Sequence, residues 1–276
     1  MTTTPIDPSR PTGFTPTLPP STMKEYHLFY APDVAEEKRL PEDEAAHAVR
    51  VLRMKEGDDL LVTDGQGNFY DCTITTASSH RCLLQINQQR PATTTWQAPI
   101  HIAVAPTKHM ERMEWLVEKA TEVGFDRLTL LACKNCSRRV VKTERLEKVA
   151  VAALKQSRKA HVPEVTPLTS FSAFLKQPFE GQKFIAHCYQ MDSPDLPPNF
   201  RPKGTSKLPE LRNVLSPNEP TLVAIGPEGD FTIDEVQAAI AAGFKPISLG
   251  SSRLRTETAA LIAVVQMNMA KTPTER

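Results

Sequence analysis

The sequence predicts an α/β protein in which a small β-rich module precedes a parallel sheet covered by helices. Two patterns lead to this prediction. Over residues 23–93, short runs of alternating apolar and polar residues are separated by turn glycines, as in a small antiparallel barrel. From Ile100 onward, apolar runs alternate with helical patterns, which is typical of a parallel sheet with helices on both faces.

The β-rich module is predicted to begin with a strand at 26–30 and to continue with a helix over 41–53. That helix has proline in its first turn, followed by acids that favour the helix dipole, and Ala45, Val49 and Leu52 share one face. Three further strands are predicted at 60–63, 69–75 and 81–88.

The second part is predicted to contain five strands and four helices. Apolar residues at helical spacing over 109–123 end at Gly124, a typical helix cap, and Thr232 with Glu235 forms a capping box. The predicted strands are 101–106, 128–133, 183–189, 221–226 and 246–250, and the predicted helices are 109–123, 143–160, 232–242 and 256–270.

Proline is concentrated in two places outside these elements. Of 24 prolines, six fall in residues 1–20 and seven in residues 190–220, and elsewhere proline is about as frequent as usual. We therefore predict a disordered Thr/Pro-rich tail over 1–22 and an irregular insertion over 190–220.

Several classes of protein are excluded by the composition. There is no run of 18 apolar residues, and the N-terminal residues lack the apolar stretch of a secretory signal. Five cysteines do not describe a disulfide framework, and Cys133-x-x-Cys136 has no further ligand pair nearby. We expect a cytoplasmic protein with no membrane segment and no metal.

The charge is unevenly distributed although the net charge is only +1. Residues 134–161 hold nine lysines and arginines against two acids. Such a segment is typical of contact with a polyanion or of a solvated helix face, and the charge pattern alone does not separate the two.

Three predicted strand ends carry unusual residues, namely 187–189, 226–230 and 250–255. Glycine is scarce in this chain, with 11 copies, yet Gly226, Gly229 and Gly250 all lie at these ends. Ligands of open α/β sheets bind where strands end, and a glycine there lets a ligand approach the backbone.

The loop Gly226–Gly229 matches neither the phosphate-binding loop of nucleotide hydrolases nor the dinucleotide fingerprint of an oxidoreductase. Glu228 and Asp230 disfavour a phosphate, since phosphate sites use backbone N–H groups and positive charge. A neutral or cationic ligand with hydroxyl groups, such as S-adenosylmethionine, suits the loop better. A sharp strand-to-helix turn stabilised by capping is the alternative.

Two segments, 225–231 (IGPEGDF) and 249–259 (LGSSRLRTETA), resemble the paired motif of the RsmE family. Its members are small-subunit (16S) ribosomal RNA uridine-N3 methyltransferases of the SPOUT superfamily. The resemblance extends over roughly 23–270 and includes 108–125, 137–157 and 47–58. Two details depart from the usual pattern: the first arginine is displaced to Arg253, and Asp230 replaces a second glycine.

The resemblance implies a fold, a cofactor and an assembly. The fold is a PUA-like RNA-binding barrel at 23–93, followed by a trefoil-knotted SPOUT methyltransferase domain at 96–276 that carries the 190–220 insertion. The cofactor is S-adenosylmethionine, and a homodimer is expected, with the Trp115 helix face in the core or at the dimer interface. The implied cofactor residues are His187, Ile225, Gly226, Gly229, Leu249, Gly250, Ser251 and Leu254.

The chemistry of uridine N3 suggests the remaining site residues. The N3 proton must leave as the methyl group arrives, and positive charge is needed beside the developing oxyanions. Arg255 can supply the charge but cannot be the base, because arginine stays protonated. Glu228 or Glu257 is the candidate base. The candidate RNA contacts are Arg50, Arg53, Lys108, Arg112, Arg138 and Arg139.

The expected substrate is small-subunit ribosomal RNA, either free or within the assembled 30S subunit. The alternative function is a non-catalytic or differently targeted RNA-binding SPOUT protein. A protein that had lost its cofactor would keep the basic segment while its strand-end glycines degraded, and here all three glycines are intact.

Overall fold

The computed structural model describes residues 26–189 and 207–273, which form two separate sheets. The predicted tail at 1–22 lies outside the described residues, and so does the 190–206 part of the predicted insertion.

The N-terminal module is a five-stranded sheet in the order β1-β3-β4-β5-β2. Its pairs are antiparallel except for β1 and β3, which run parallel, so the predicted antiparallel barrel is only partly correct. Its elements are β1 Leu28–Tyr30, α1 Val34–Glu37, β2 Arg39–Leu40, α2 Glu42–Ala46, a π-helix His47–Val51, β3 Asp59–Thr63, β4 Asn68–Ala77 and β5 Cys82–Pro91.

The helix predicted over 41–53 changes type in its middle. After α2 the chain winds as a π-helix, which takes an extra residue per turn and rotates the buried face. Ala45 and Ala48 are buried, and the half-buried Leu52 packs against the same core, whereas Val49 is half-buried outside it. The predicted shared face is therefore correct for Ala45 and Leu52 and wrong for Val49.

The C-terminal sheet has six strands in the order β11-β9-β10-β6-β7-β8, all parallel. This confirms the predicted parallel α/β class. Its elements are β6 Ile100–Val104, α3 Met110–Val123, β7 Arg127–Ala132, α4 Thr143–Gln156, β8 Glu164–Ser170, α5 Phe171–Leu175, β9 Gln182–Ala186, α6 Leu211–Val214, β10 Thr221–Ile225, α7 Ile233–Ala241, β11 Lys245–Ile247 and α8 Thr256–Lys271.

Both faces of this sheet are covered, as the unbroken apolar strands require. Along β6 and just beyond it, Ile102 and Val104 belong to one core cluster, whereas Ala103 and Ala105 belong to the other. The first cluster includes residues of α3, α4 and α8, and the second includes residues of α5 and α7. No helix in the described ranges combines the length and apolarity needed to cross a bilayer.

Two features of this domain were not predicted. The strand β8 and the helix α5 lie between the predicted elements, and β8 is paired with β7 at the edge of the sheet. The second half of the proline-rich segment is also not wholly irregular. It forms α6, and Leu211 is fully buried against α8, which fixes this segment to the core.

The N-terminal module is fastened to the C-terminal domain through the turn 64–67. The N–H of Gly67 donates to the carbonyl of Ala160 at 2.9 Å, and the N–H of Val162 donates to the carbonyl of Gly65 at 2.9 Å. A Cβ on Gly67 would lie 2.5 Å from the His161 ring, so this close approach requires glycine. The turn between β3 and β4 therefore also binds the N-terminal module to the C-terminal domain.

The stability of the fold is expected to fall on acidification, because His101 is buried on β6. Burial lowers the pKa of His101 to about 3, and the charge of Arg127 acts in the same direction. The unfolded chain, with a histidine pKa of about 6.5, therefore binds a proton that the folded state excludes. His101 contributes stability above pH 6.5 that is lost as the pH falls toward 3, about 2 kcal/mol of it by pH 5.

Chemical denaturation at pH 7.5 and pH 5 measures this contribution. In the His101→Gln variant, whose amide can still bond Thr129, we expect the loss between the two pH values to shrink by about 2 kcal/mol. His80→Gln is the control, because His80 is exposed, and it should leave the loss unchanged. Equal pH dependence of the wild type and the His101→Gln variant would contradict the assignment.

Candidate functional site

Three loops meet at one edge of the C-terminal sheet. Ala186 at the end of β9 is in register with Ile225 of β10 on one side and with Ile247 of β11 on the other. The residues that follow these strands therefore emerge side by side. We call residues 187–189, 226–231 and 248–255 the loop cluster. In the sheet, β9 lies between β10 and β11.

The three glycines of the loop cluster have different roles. A Cβ on Gly226 would lie 3.0 Å from the backbone nitrogen and ring of Phe231, and one on Gly229 would lie 3.2 Å from the Cβ of Asn135. Packing against protein atoms thus accounts for these two. Gly250 has a φ of +124° and no atom within 4 Å of its Cβ position, so its backbone faces open space. Only Gly250 fits the expectation that glycine clears room for a ligand.

The loop after β11 is held by the proline-rich segment. The N–H of Ser248 donates to Pro209 and the N–H of Leu211 donates to Ser248, both at 2.9 Å. The Ser248 hydroxyl bonds both the N–H and the carbonyl of Gly250. Leu249 is half-buried against the core, whereas Ser251 is exposed. This support was not predictable from the sequence, because prolines usually mark irregular chain.

His187 lies at the centre of the loop cluster and is buried. Burial lowers its pKa to about 4, and the nearby charge of Asp230 opposes that shift. The N–H of Tyr189 donates to Nδ1 of His187 at 3.3 Å. The imidazole is therefore neutral at pH 7 and adds no positive charge to this edge of the sheet.

The carboxylates at this edge differ in how they are used. Glu228 accepts a hydrogen bond from the backbone N–H of Lys108 at 2.9 Å. Glu257, in the first turn of α8, is buried, with Oε1 3.7 Å from Nε of Arg112. Its Oε2 is buried and makes no hydrogen bond with the described residues. A buried carboxylate oxygen without a partner is costly, so Glu257 is the acid with capacity for a new contact.

The first turn of α8 also joins the loops. The Thr256 hydroxyl donates to the carbonyl of Gly226 at 3.2 Å, which links the loop after β10 to the start of this helix. Arg255 is the N-cap residue of α8 and is exposed, and Leu254 is half-buried. Arg255, the last residue of the loop cluster, and Glu257 are therefore two residues apart at the start of α8.

Four of the six candidate RNA contacts lie near the loop cluster. Arg138 donates to the carbonyl of Lys108 at 2.8 Å, and Lys108 in turn donates to Glu228. Arg139 donates to the carbonyls of Cys133 and Lys134. Arg112 is the ion-pair partner of Glu257. These guanidinium groups are thus partly occupied in holding the loops together.

Arg50 and Arg53 lie elsewhere, on the N-terminal module. Arg50 donates to the Ser79 hydroxyl at 3.0 Å and lines a shallow cavity that also contains Glu42 and Asp43. These acids weaken the attraction of this surface for phosphate. Arg53 adopts a left-handed backbone conformation with φ of +56° just after the π-helix.

Much of the basic segment is used within the protein. Lys155 forms an ion pair with buried Glu44 of α2, and Arg158 donates to the carbonyl of Tyr26. Lys159 donates to the carbonyl of Glu122. Lys155 and Arg158 therefore join this segment to the N-terminal module, a role that neither interpretation of the charge pattern included. The sequence could not separate these roles because the partners are distant along the chain.

Cys133 and Cys136 are buried. Burial raises the pKa of the Cys133 thiol, and Sγ of Cys136 lies within hydrogen-bonding distance of the Pro106 and Arg138 carbonyls. Within residues 26–189 and 207–273, no three histidine, cysteine, aspartate or glutamate side chains are close enough together to hold a metal ion. Cys72 and Cys82 are core residues of the N-terminal module.

Thiol labelling tests the placement of the loop after β9. Cys188 is exposed, whereas the other four cysteines are buried. We expect one thiol per native chain to react with a thiol reagent and none in a Cys188→Ser variant, because buried thiols are inaccessible. Reaction of two or more thiols without unfolding would contradict this geometry.

Comparison with known proteins agrees with this architecture. The family model described as an RNA methyltransferase domain matches residues 94–268, and one described as an RNA methyltransferase PUA domain matches residues 40–87. The ribosomal RNA small subunit methyltransferase E of Rickettsia conorii is 27% identical over 251 residues, covering 90% of this chain and 96% of that protein. The Bacillus subtilis protein of that name is 28% identical and covers 80% of this chain and 86% of its own length.

Solved structures give the same result. A probable rRNA-methyltransferase from Porphyromonas gingivalis is 39% identical, with a TM-score of 0.79 and coverage of 88% of this chain and 98% of that chain. The ribosomal RNA small subunit methyltransferase E of Neisseria gonorrhoeae, bound to S-adenosyl methionine, is 25% identical with a TM-score of 0.74 and coverage of 88% and 97%. The predicted resemblance and fold class are confirmed, whereas the knot stays a prediction. The matched domain model spans more than half of the sequence, and the chain therefore belongs to the RNA methyltransferase family.

Proposed function

We propose that this protein transfers a methyl group from S-adenosylmethionine to N3 of a uridine in small-subunit ribosomal RNA. The observation that carries the proposal is the loop cluster, where three parallel strands end around His187, Gly226 and Gly250. The names of the relatives support the RNA substrate, and the cofactor bound to the Neisseria gonorrhoeae protein supports the cofactor.

The residues of the loop cluster fit this cofactor. The open space beside Gly250 admits a ligand, and the half-buried Leu249 and Leu254 offer apolar contact. The charge also fits, since buried Glu257 favours a cation over a polyphosphate. The residues that would hold the cofactor are His187, Ile225, Gly226, Gly229, Leu249, Gly250, Ser251 and Leu254.

The bound cofactor supplies an electrophilic methyl group. The protein must bind the base, accept the N3 proton and stabilise the negative charge on the uracil oxygens. N3 lies on the pairing edge of uracil, so the base must be unpaired or flipped to reach the site. The partnerless Oε2 of Glu257 favours this residue over Glu228 as the acceptor of the N3 proton, because Glu228 already bonds Lys108. Arg112 orients Glu257, and Arg255 stabilises the negative charge at the uracil oxygens.

The RNA is proposed to lie across the same edge. Lys108 and Arg138 lie beside the loop that contains Glu228, and Arg139 bonds the loop after β7. We assign the remaining donors of these side chains to phosphate oxygens. We divide the chain into a PUA-like domain at 23–93 and a methyltransferase domain at 96–276. Arg50 and Arg53 extend the RNA contact onto the PUA-like domain. The substrate is either free RNA or the 30S subunit.

We further propose that the protein is a cytoplasmic homodimer. Trp115 of α3 is 41% exposed and is therefore not a core residue, and the dimer interface is the position that we propose for its helix face.

Methyl transfer to small subunits that lack the modification tests the function. With tritiated S-adenosylmethionine, we expect label in the small-subunit RNA, recovered as N3-methyluridine by mass spectrometry. Arg255→Ala and Glu257→Gln should each lower the rate about 100-fold, since each removes charge stabilisation or the proton acceptor.

Arg253→Ala is the matched control, because Arg253 lies in the same exposed loop two residues before Arg255. Its rate should stay within threefold of the wild type. Near-normal turnover by Arg255→Ala would contradict the catalytic assignment, and absence of methyl transfer by the wild type to both free RNA and subunits would contradict the function.

Salt titration of RNA binding tests the contact surface. Arg139 is exposed, so Arg139→Gln should weaken binding and reduce the slope of log affinity against log salt by about 1. Arg145→Gln is the control, because the Arg145 guanidinium already pairs with Glu114, and it should leave the slope unchanged. Equal slopes for the wild type and Arg139→Gln would place the RNA elsewhere.

A further inference from the structure

Asp230 occupies a backbone conformation that normally favours glycine. Its φ is +60°, and the described ranges hold only three other non-glycine residues with positive φ, namely Lys38, Arg53 and Arg158. Aspartate tolerates this region better than most residues but still less easily than glycine. The strain requires an interaction of the side chain that offsets it.

The carboxylate of Asp230 supplies that interaction by bonding two loops. Oδ2 accepts the backbone N–H of Cys188 at 2.8 Å, across 42 residues of sequence. Oδ1 accepts the N–H of Phe231 at 2.8 Å, which fixes the orientation of the carboxylate. Both bonds are charge-assisted and therefore stronger than bonds between neutral groups. The loop after β9 is thereby tied to the loop after β10.

A third loop is attached to the same residue through its backbone. Asn135, which follows β7, donates from Nδ2 to the carbonyls of Gly229 and Asp230, both at 3.1 Å. The N–H of Asp230 donates to the carbonyl of Pro227 at 2.9 Å and closes the turn. Asp230 therefore connects the loops after β7, β9 and β10 beyond the strand ends, where the sheet itself no longer holds them together.

We propose that Asp230 is a positioning residue that preorganises the cofactor pocket by holding the loop after β9 against the loop after β10. This inference rests on the proposed function, because it assigns S-adenosylmethionine to the loop cluster. A ligand that binds between loops already held in place loses less free energy to ordering them. Asp230 thus raises cofactor affinity without touching the cofactor.

Calorimetric titration of three variants tests the proposal, with S-adenosylmethionine and the neutral product S-adenosylhomocysteine as ligands. Asp230→Gly removes both carboxylate bonds and relieves the backbone strain, so the Kd should rise about tenfold for both ligands. Asp230→Asn retains one acceptor oxygen, so its Kd should rise about threefold. Lys38→Gly is the matched control, because it relieves the same backbone conformation on the distant N-terminal module, and its Kd should not change.

Amide hydrogen exchange provides a readout without any ligand. In the cofactor-free Asp230→Gly protein, the amide of Cys188 should exchange at least tenfold faster than in the wild type, whereas amides of β6 should keep their protection. The thermal midpoint of each variant shows whether the fold itself is retained.

Each outcome decides a different point. Unchanged affinity of Asp230→Gly for both ligands would overturn the positioning role. A loss of affinity for S-adenosylmethionine alone would also overturn it, because the carboxylate would then act through its charge on the sulfonium. Failure of the wild type to bind either ligand would overturn the proposed function itself, and the proposal with it. Faster exchange at Cys188 with equal losses for both ligands supports the proposal.

Discussion

The parallel alignment of β9 between β10 and β11 is the constraint on which the rest of the site depends. Because all three strands run in one direction, their carboxyl ends and the loops that follow them lie at the same edge of the sheet. The apolar residues of these strands are buried by helices on both faces of the sheet. The loops that follow the strands are therefore the parts that a ligand can reach. The positions of the candidate cofactor residues follow from this arrangement.

Some charged side chains at this edge of the sheet stabilise the loops, and others keep atoms that can bind a ligand. Arg138 and Arg139 bond backbone carbonyls, and Glu228 bonds a backbone N–H, so these side chains first stabilise the loops. Among the described residues, one buried oxygen of Glu257 has no hydrogen-bond partner, and neither has the buried Nε of Arg138. Buried polar atoms in this state are rare in folded proteins and are concentrated where function needs them.

The sequence predicted the elements that local rules determine. The helix expected at 109–123 is observed at 110–123 with Gly124 as its cap, and the Thr232–Glu235 capping box is present. The strand β8 was missed because Pro167 interrupts its pattern, and the π-helix was missed because a period of 3.6 does not describe it. The roles that depend on distant partners were also missed. The sequence marked Asp230 only as the replacement of a glycine, because its bond to Cys188 spans 42 residues.

Titration of the isotope-labelled protein with S-adenosylmethionine, followed through amide chemical shifts, tests directly whether the cofactor binds at the loop cluster. We expect saturable shifts concentrated at 187–189, 225–231 and 249–255, with small changes in β1 to β5. The absence of saturable shifts, or their concentration on the N-terminal module, would contradict the assignment of the cofactor to the ends of these three strands.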